Sequence, residues 1–246
     1  MSAFLWFSLL KLSGYLCCMD VFGKALTDFY KTGKADVLWL HNSYDEPEEM
    51  PIDFFFRNDE EMPVMELQAL QMCRGRVLDI GAGVGSHALV LQAFNIDVTA
   101  IDISEAAVRI MEERGVKNPL LQDVFSYEEK FDTLLMLMNG IGLTGTLIGF
   151  KNFLMKLKSL LNPGGQVLFD TSDIAYLYED AAKPENQYYG EVSYQYEYQG
   201  EKGSWFNWLY IDPKTAVLIA EETGWLSEII FDDGEDQYLI KLTLPG

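Results

Sequence analysis

The chain has 246 residues, 49% of them hydrophobic and 13% aromatic, enough apolar material for a sizeable core and too much for global disorder. Its 38 acidic side chains outnumber 18 basic ones, a formal net charge of −20 with no lysine or arginine cluster, which disfavours nucleic acid and anionic membrane surfaces as partners. Three cysteines, Cys17, Cys18 and Cys73, make neither a disulfide framework nor a zinc site, in keeping with a reducing cytoplasm.

Residues 1–18, MSAFLWFSLLKLSGYLCC, are apolar, but no positive charge precedes the run, Lys11 interrupts it and no small-residue cleavage site follows. The run is also too short to span a bilayer. It reads as an extension upstream of a natural start at Met19, with a docked helix or an export signal as alternatives. Val21, Phe22, Leu26, Phe29 and Tyr30 then recur at helical spacing, so residues 20–34 are expected to hold an amphipathic helix. Residues 41–63 are acidic, contain Pro47, Pro51 and Pro63, and read as loop. A helix follows through VMELQALQM, completing a helical cap over residues 19–72.

From residue 73 onward strands and helices alternate. RVLDI, DVTAID, the short NPLLQDV, FDTLLMLM and QVLFDTSD read as strands. FDTLLMLM ends in the continuous apolar run LLMLM, as expected of a central strand covered on both faces. Helices are expected from Ser86, from the N-cap Ser104 to the stop at Gly115, and from Thr146 to Leu161, the last ended by Asn162-Pro163-Gly164-Gly165. This rhythm predicts a doubly wound, mostly parallel α/β sheet. Two segments break it. Residues 186–212 alternate tyrosines around a Gly200–Gly203 turn and read as an antiparallel hairpin insertion. After a helix begun by Asp212 and Pro213 and ended by Gly224, a second hairpin makes the last strand antiparallel to the rest.

The stretch VLDIGAGVG places a glycine loop between a strand's carboxyl end and a helix, where open α/β sheets bind ligands. The dinucleotide fingerprint Gly-x-Gly-x-x-Gly is not met, because its third glycine position holds Ser86. Gly81, Gly83 and Gly85 let a ligand approach the backbone. Asp79, just before them, would repel a pyrophosphate and suits a cationic group instead. Asp102 ends the second strand, where an acid accepts hydrogen bonds from ribose hydroxyls. Asp123 follows the third strand, within reach of an adenine amino group. A ligand with a charged amino-acid end, a ribose and an adenine fits S-adenosyl-L-methionine.

VLDIGAGVG, VTAIDIS, QDV, FDTLLMLMNG, LNPGGQVLFD and the closing hairpin together resemble class I S-adenosylmethionine-dependent methyltransferases over residues 76–244. The resemblance implies a Rossmann-like fold. It implies that Asp79, Gly81, Gly83 and Gly85 hold the methionine part of the cofactor, Asp102 with Ile103 the ribose side, and Asp123 with Val124 the adenine. Met138 and Asn139 would face the cofactor with their backbone. Two other readings stand beside this one. A non-catalytic binding protein of the same fold is one; a dehydrogenase using Tyr210 and Lys214 is the other, weakened because Pro213 keeps that pair off a common helix face.

The acceptor is less legible. The motif Asn139-Gly140-Ile141-Gly142 departs from the Asn-Pro-Pro-aromatic pattern that accompanies methylation of planar amides and nucleobase amines. The two histidines, His41 and His87, are candidates for a general base, against the plainer reading of structural histidines; a neutral His87 is favoured by its place at a helix N-terminus. Arg57 is a candidate for the cofactor's carboxylate, against a surface role. Asp170 and Asp173 read as hydrogen-bonding or capping acids, and no metal site is expected. Tyr188, Tyr189, Tyr194, Tyr196, Tyr198, Trp205, Trp208 and Tyr210 crowd the hairpin insertion. They are expected to line a pocket for a small, partly apolar acceptor or to grip a cationic amine, with packing on its own sheet or in a homodimer as the alternative.

Overall fold

The computed structural model describes residues 20–179 and 182–246. The apolar first segment, with Cys17 and Cys18, lies outside the described residues. The chain forms α1 (Val21–Thr32), β1 (Leu38–Asn42), β2 (Glu48–Met50), a 3-10 turn (Ile52–Phe56) and α2 (Val64–Met72). Next come β3 (Arg76–Ile80), α3 (Ser86–Ala93), β4 (Asp97–Asp102), α4 (Glu105–Arg114), β5 (Pro119–Leu121), β6 (Phe131–Met136), α5 (Leu147–Leu160) and β7 (Leu161–Ser172). The last third holds β8 (Glu191–Tyr198), β9 (Glu201–Lys202), β10 (Phe206–Leu209), α6 (Pro213–Glu222), β11 (Leu226–Asp232) and β12 (Gln237–Thr243).

Helix starts follow their capping residues. Asp20 accepts from the Gly23 amide at 2.7 Å, Ser104 from Ala107 at 3.1 Å, Thr146 from Gly149 at 2.9 Å and Asp212 from Thr215 at 2.9 Å. Seven strands then order as β11-β12-β7-β6-β3-β4-β5. β3 to β7 are parallel, and β12 runs antiparallel to β7, as the closing hairpin predicts. Chain order reverses on either side of β3, which puts the ligand crevice at its carboxyl end.

Both faces of this sheet are buried. Leu78, Leu134, Met136, Val167 and Phe169 pack against Phe150, Phe153, Leu154 and Leu157 of α5 and Ala216 and Ala220 of α6. Val77, Val98, Ala100, Leu135 and Leu168 pack against Ala69 and Leu70 of α2, Ala88 and Leu91 of α3, and Met111 of α4. Alternate residues of FDTLLM thus serve opposite layers, which accounts for its unbroken apolar run.

Two expectations are corrected. Residues 41–63, read as loop, hold the end of β1, β2 and the 3-10 turn. The aromatic hairpin is therefore not a free insertion: β10, β8, β1 and β2 form a second antiparallel sheet, with β9 also on β8. Leu38 pairs with Tyr198, Leu40 with Tyr196 and Asn42 with Tyr194. The strand LWLHN is short and beside an acidic stretch, and its partner lies far along the chain, so local pattern gives little sign of it. Second, Asn162–Gly165 does not separate α5 from the next strand. Pairing resumes at once at Leu161, and the register shifts before Gln166, so the turn sequence is an irregularity inside β7. Val21, Ala25, Leu26, Leu38 and Tyr198 join Val84, Ala107 and Ile110 in one cluster that fastens α1 and the second sheet to the larger layer.

Candidate active site

The glycine loop is tied to the next strand by its amides. Those of Gly81 and Ala82 both donate to the Ile101 carbonyl at 3.0 Å, and that of Gly83 donates to the Asp102 carboxylate at 2.9 Å. The three glycines do different work. A Cβ on Gly81 would meet nothing within 4 Å, so its side of the loop is open to a ligand. A Cβ on Gly85, at a φ of +82°, would fall 2.6 Å from Val116 and 3.0 Å from Met111. Gly85 is therefore needed for close packing on α4, a role beyond the ligand approach expected of it.

Asp79 is 2% exposed and its Oδ2 has no hydrogen-bond partner among the described residues. An unpaired carboxylate this deep is costly. Burial pushes it up to about 6, with the His87 charge pulling it down and the Asp102 charge pushing it up. Asp102 is also pushed by burial to about 6, against the pull of the Ser104 and Gly83 amides that donate to it. The N-cap Asp20 of α1 reaches the same corner through Ser104 and adds negative charge.

The loop after β6 is strained. Met138 and Asn139 both hold positive φ, at 59° and 54°, which costs non-glycine residues about 1–3 kcal/mol each. What holds it is Asp170, whose two carboxylate oxygens each accept from the Asn139 amide at 2.9 Å. Asn139 also donates to the Leu209 carbonyl at 3.3 Å, while its Oδ1 is buried without a partner. Burial raises Asp170 to about 7.

The remaining candidates separate. Ile103 is 67% exposed at the crevice rim and Val124 is buried. One oxygen of Asp123 accepts from the Phe125 amide at 2.9 Å, capping a short 3-10 turn. Arg57 does not face the glycine loop as a free cation: it donates to Glu66 at 2.8 Å and to the Phe54 carbonyl at 2.9 Å. The other oxygen of Glu66 meets His87 Nε2 at 2.8 Å. His87 is 7% exposed. Burial alone would favour the neutral ring, but Glu66, Asp79 and Asp170 outweigh it and raise His87, the direction opposite to that expected for a neutral base. His41 sits on β1 with its side chain on the face opposite Tyr194 and Tyr196, paired to Glu197 at 2.7 Å, away from the loop. Asp173 caps a turn and accepts from Tyr189 at 2.6 Å. Sequence reading missed Glu66, although its spacing to Ala69 and Leu70 already puts it on the buried face of α2.

A methyltransferase-domain profile matches residues 52–215. A solved S-adenosylmethionine-dependent methyltransferase from Bacteroides fragilis, in complex with S-adenosyl-L-homocysteine, is 40% identical and superposes with a TM-score of 0.85 over 92% of this chain and 94% of that one. The chain belongs to the S-adenosylmethionine-dependent methyltransferase family. It is an enzyme of that class, S-adenosyl-L-methionine is its cofactor, and the dehydrogenase reading is set aside. The PH0226 protein of Pyrococcus horikoshii is 18% identical with a TM-score of 0.57, covering 74% of this chain and 90% of that one. The sugar N-methyltransferase KedS8 of Streptoalloteichus is 14% identical with a TM-score of 0.57, covering 83% and 96%. These two share the fold alone. No curated protein sequence matches the chain. No helix among the described residues is long and apolar enough to cross a membrane.

The crevice of this methyltransferase fits its cofactor on structural grounds: the unpaired Asp79 carboxylate suits an ammonium group, and the open side of Gly81 leaves room beside it. The raised carboxylates also set a pH dependence. Asp79, Asp102 and Asp170 stabilise the fold most when protonated, below about pH 4, and lose that contribution as pH rises through 6 to 7. His87, also raised, acts in the same direction. Glu66 and Asp212 are lowered and lose their contribution only in stronger acid. The melting temperature of the cofactor-free protein, followed by calorimetry, is therefore expected to fall between about pH 5.5 and about pH 8. A rise across that interval would contradict the assignment.

Proposed function

We propose that this methyltransferase acts on a small-molecule acceptor held between the crevice and the inner face of the second sheet. The observation that supports it is the aromatic wall aimed at both borders of the crevice. Phe55 lies alongside Gly83, Phe22 packs on Phe55 at 4.9 Å, and Tyr196 stacks on Phe22 at 5.2 Å. On the other border Trp208 lies against Gly142, and the Leu209 carbonyl receives Asn139. Tyr194, Tyr210 and Phe206 join these two arms. A concave, largely apolar wall with a few polar tips is what small-molecule sites look like. The net charge of −20 speaks against a nucleic-acid acceptor. KedS8, a sugar N-methyltransferase, has the same fold, in keeping with an acceptor of this size.

In this reading Asp79, Gly81 and Gly83 receive the amino-acid end of the cofactor. Asp102 and Ile103 flank its ribose, Asp123 and Val124 its adenine, and Met138 and Asn139 line the reacting side. The cofactor supplies a methyl group already activated on a sulfonium. The chain's task is then to align a nucleophile, which in good cases lowers a barrier by about 7–11 kcal/mol.

Labelled cofactor incubated with a metabolite pool is expected to label a low-molecular-weight product; label confined to macromolecules would reject the proposal. Removing residues 190–204 is a poor test, because it takes out β8, the strand on which β1, β9 and β10 all pair. The half-buried Trp208 is better placed. Trp208→Ala is expected to raise the acceptor KM about tenfold or more while S-adenosylhomocysteine affinity, measured by titration, stays within about twofold. Equal losses in both would count against the wall. Asp102→Ala is expected to weaken cofactor binding by about 1–3 kcal/mol, since it also frees the Gly83 amide.

A further inference from the structure

Three phenols on the inner wall converge on one carboxylate. The hydroxyls of Tyr194 and Tyr210 lie 3.3 Å apart, those of Tyr44 and Tyr194 lie 3.4 Å apart, and Tyr44 donates to Glu48 at 2.9 Å. Glu48 otherwise receives only Asn42 at 3.2 Å, with no lysine, arginine or histidine paired to it among the described residues. Next to this cluster opens a cleft of about 470 Å³ lined by Asp173, Ala175, Tyr176, Glu235 and Asp236, with acids and no base. The turn that lines the cleft with Ala175 and Tyr176 connects the two: its Ile174 and Leu177 pack in the same cluster as Tyr44, Tyr194 and Tyr210. The chain itself shows what this rim attracts. The ammonium of Lys183 sits 3.8 Å over the ring of Tyr189, whose hydroxyl donates to Asp173.

Resting on the small-molecule reading above, we propose that the acceptor is an amine that enters as an ammonium ion through the acidic cleft and is gripped by the Tyr44–Tyr194–Tyr210 wall, with Glu48 as its counter-ion. Aromatic faces beside a carboxylate with no cationic partner among the described residues favour a cation over a neutral or anionic group of equal shape. A carboxylate-bearing acceptor would meet repulsion from Glu48, Asp173, Glu235 and Asp236. An ammonium nitrogen has no lone pair, so one N–H bond must break before transfer. The proton moves along the hydroxyls of Tyr194 and Tyr44 to the Glu48 carboxylate, which becomes the acid. The freed lone pair forms the nitrogen–methyl bond as the methyl–sulfur bond breaks, and that bond's electrons stay on sulfur.

The test uses the full-length protein saturated with S-adenosylhomocysteine and two probes of one shape, choline chloride and its neutral carbon isostere 3,3-dimethylbutan-1-ol, titrated calorimetrically. Choline is expected to bind at least about fivefold tighter than the isostere. In Glu48→Gln that preference is expected to vanish, while S-adenosylhomocysteine affinity, which Glu48 does not serve, stays as in the wild type and reports a folded crevice. No preference for choline in the wild type, or a preference that survives Glu48→Gln, overturns the proposal. The labelled-pool experiment separates the two layers of inference. An O- or C-methylated small product overturns the amine and leaves the small-molecule reading standing; label only in macromolecules sinks that reading itself.

Discussion

Asp79→Asn is expected to weaken S-adenosylmethionine binding by about ten- to a hundredfold while leaving the cofactor-free protein as stable as before, or more so. The two halves of this result have one cause. In the free protein Asp79 Oδ2 is buried with no donor, so the carboxylate is a liability to the fold. The asparagine removes that charge at nearly constant volume. It also removes the partner for the cofactor's ammonium, and a hydrogen bond to a charged group is worth about 1.5–3 kcal/mol. Affinity and stability should therefore move in opposite directions, which an ordinary packing defect would not produce. Titration calorimetry gives the first number and thermal unfolding without cofactor the second. A variant that loses stability and keeps its affinity would show that Asp79 is a structural acid.

Glu66→Ala is expected to be among the most damaging substitutions on the cofactor side of the larger sheet, at about 3–5 kcal/mol. Among the described residues Glu66 is the one carboxylate hydrogen-bonded to both Arg57 and His87, at 2.8 Å from each. Deleting it leaves the buried His87 ring without a hydrogen-bonded carboxylate. For a chain of this length the melting temperature should drop by roughly 6–20 °C. The double replacement Glu66→Met with His87→Leu is expected to recover much of the stability, because Arg57, with 16% of its side chain exposed, can turn outward and neither member of the buried Glu66–His87 pair is left without its partner. It should not recover cofactor affinity. Without the His87 charge, Asp79 keeps burial and Asp102, both of which push it upward, so less of it is ionised near neutral pH. If the single variant melts within about 2 °C of the wild type, the network is not buried in the way described.

Much of the larger layer was legible because its signals are local. Caps at Ser104, Thr146 and Asp212 and the glycine stops are short-range chemistry, and the apolar run of β6 announces a strand covered on both sides. The positions of Asp79, Asp102 and Asp123 follow from strand ends alone. What escaped is non-local. Pairing of LWLHN with the tyrosine strand depends on two segments at opposite ends of the chain. The destination of Arg57 and His87 depended on Glu66, an acid on the buried face of α2 that neither residue's own neighbourhood reveals. The packing role of the third glycine escaped for a related reason: Val116 and Met111, which a Cβ there would meet, belong to the following unit.

The interleaving of the second sheet has a consequence for how the enzyme comes into being. β1 and β2 leave the ribosome early, yet the neighbour that covers one edge of β1, from Leu38 to Asn42, is β8, made only after the whole parallel unit from β3 to β7. Until then β1 has an unpaired edge and α1 has no Tyr198 to close over it. Loop-closure entropy of that span must be overcome at the end of folding rather than the beginning. The crevice for the cofactor can be assembled while the wall over it is still being synthesised, so binding of the cofactor can precede, and help to organise, the chamber in which the acceptor is met.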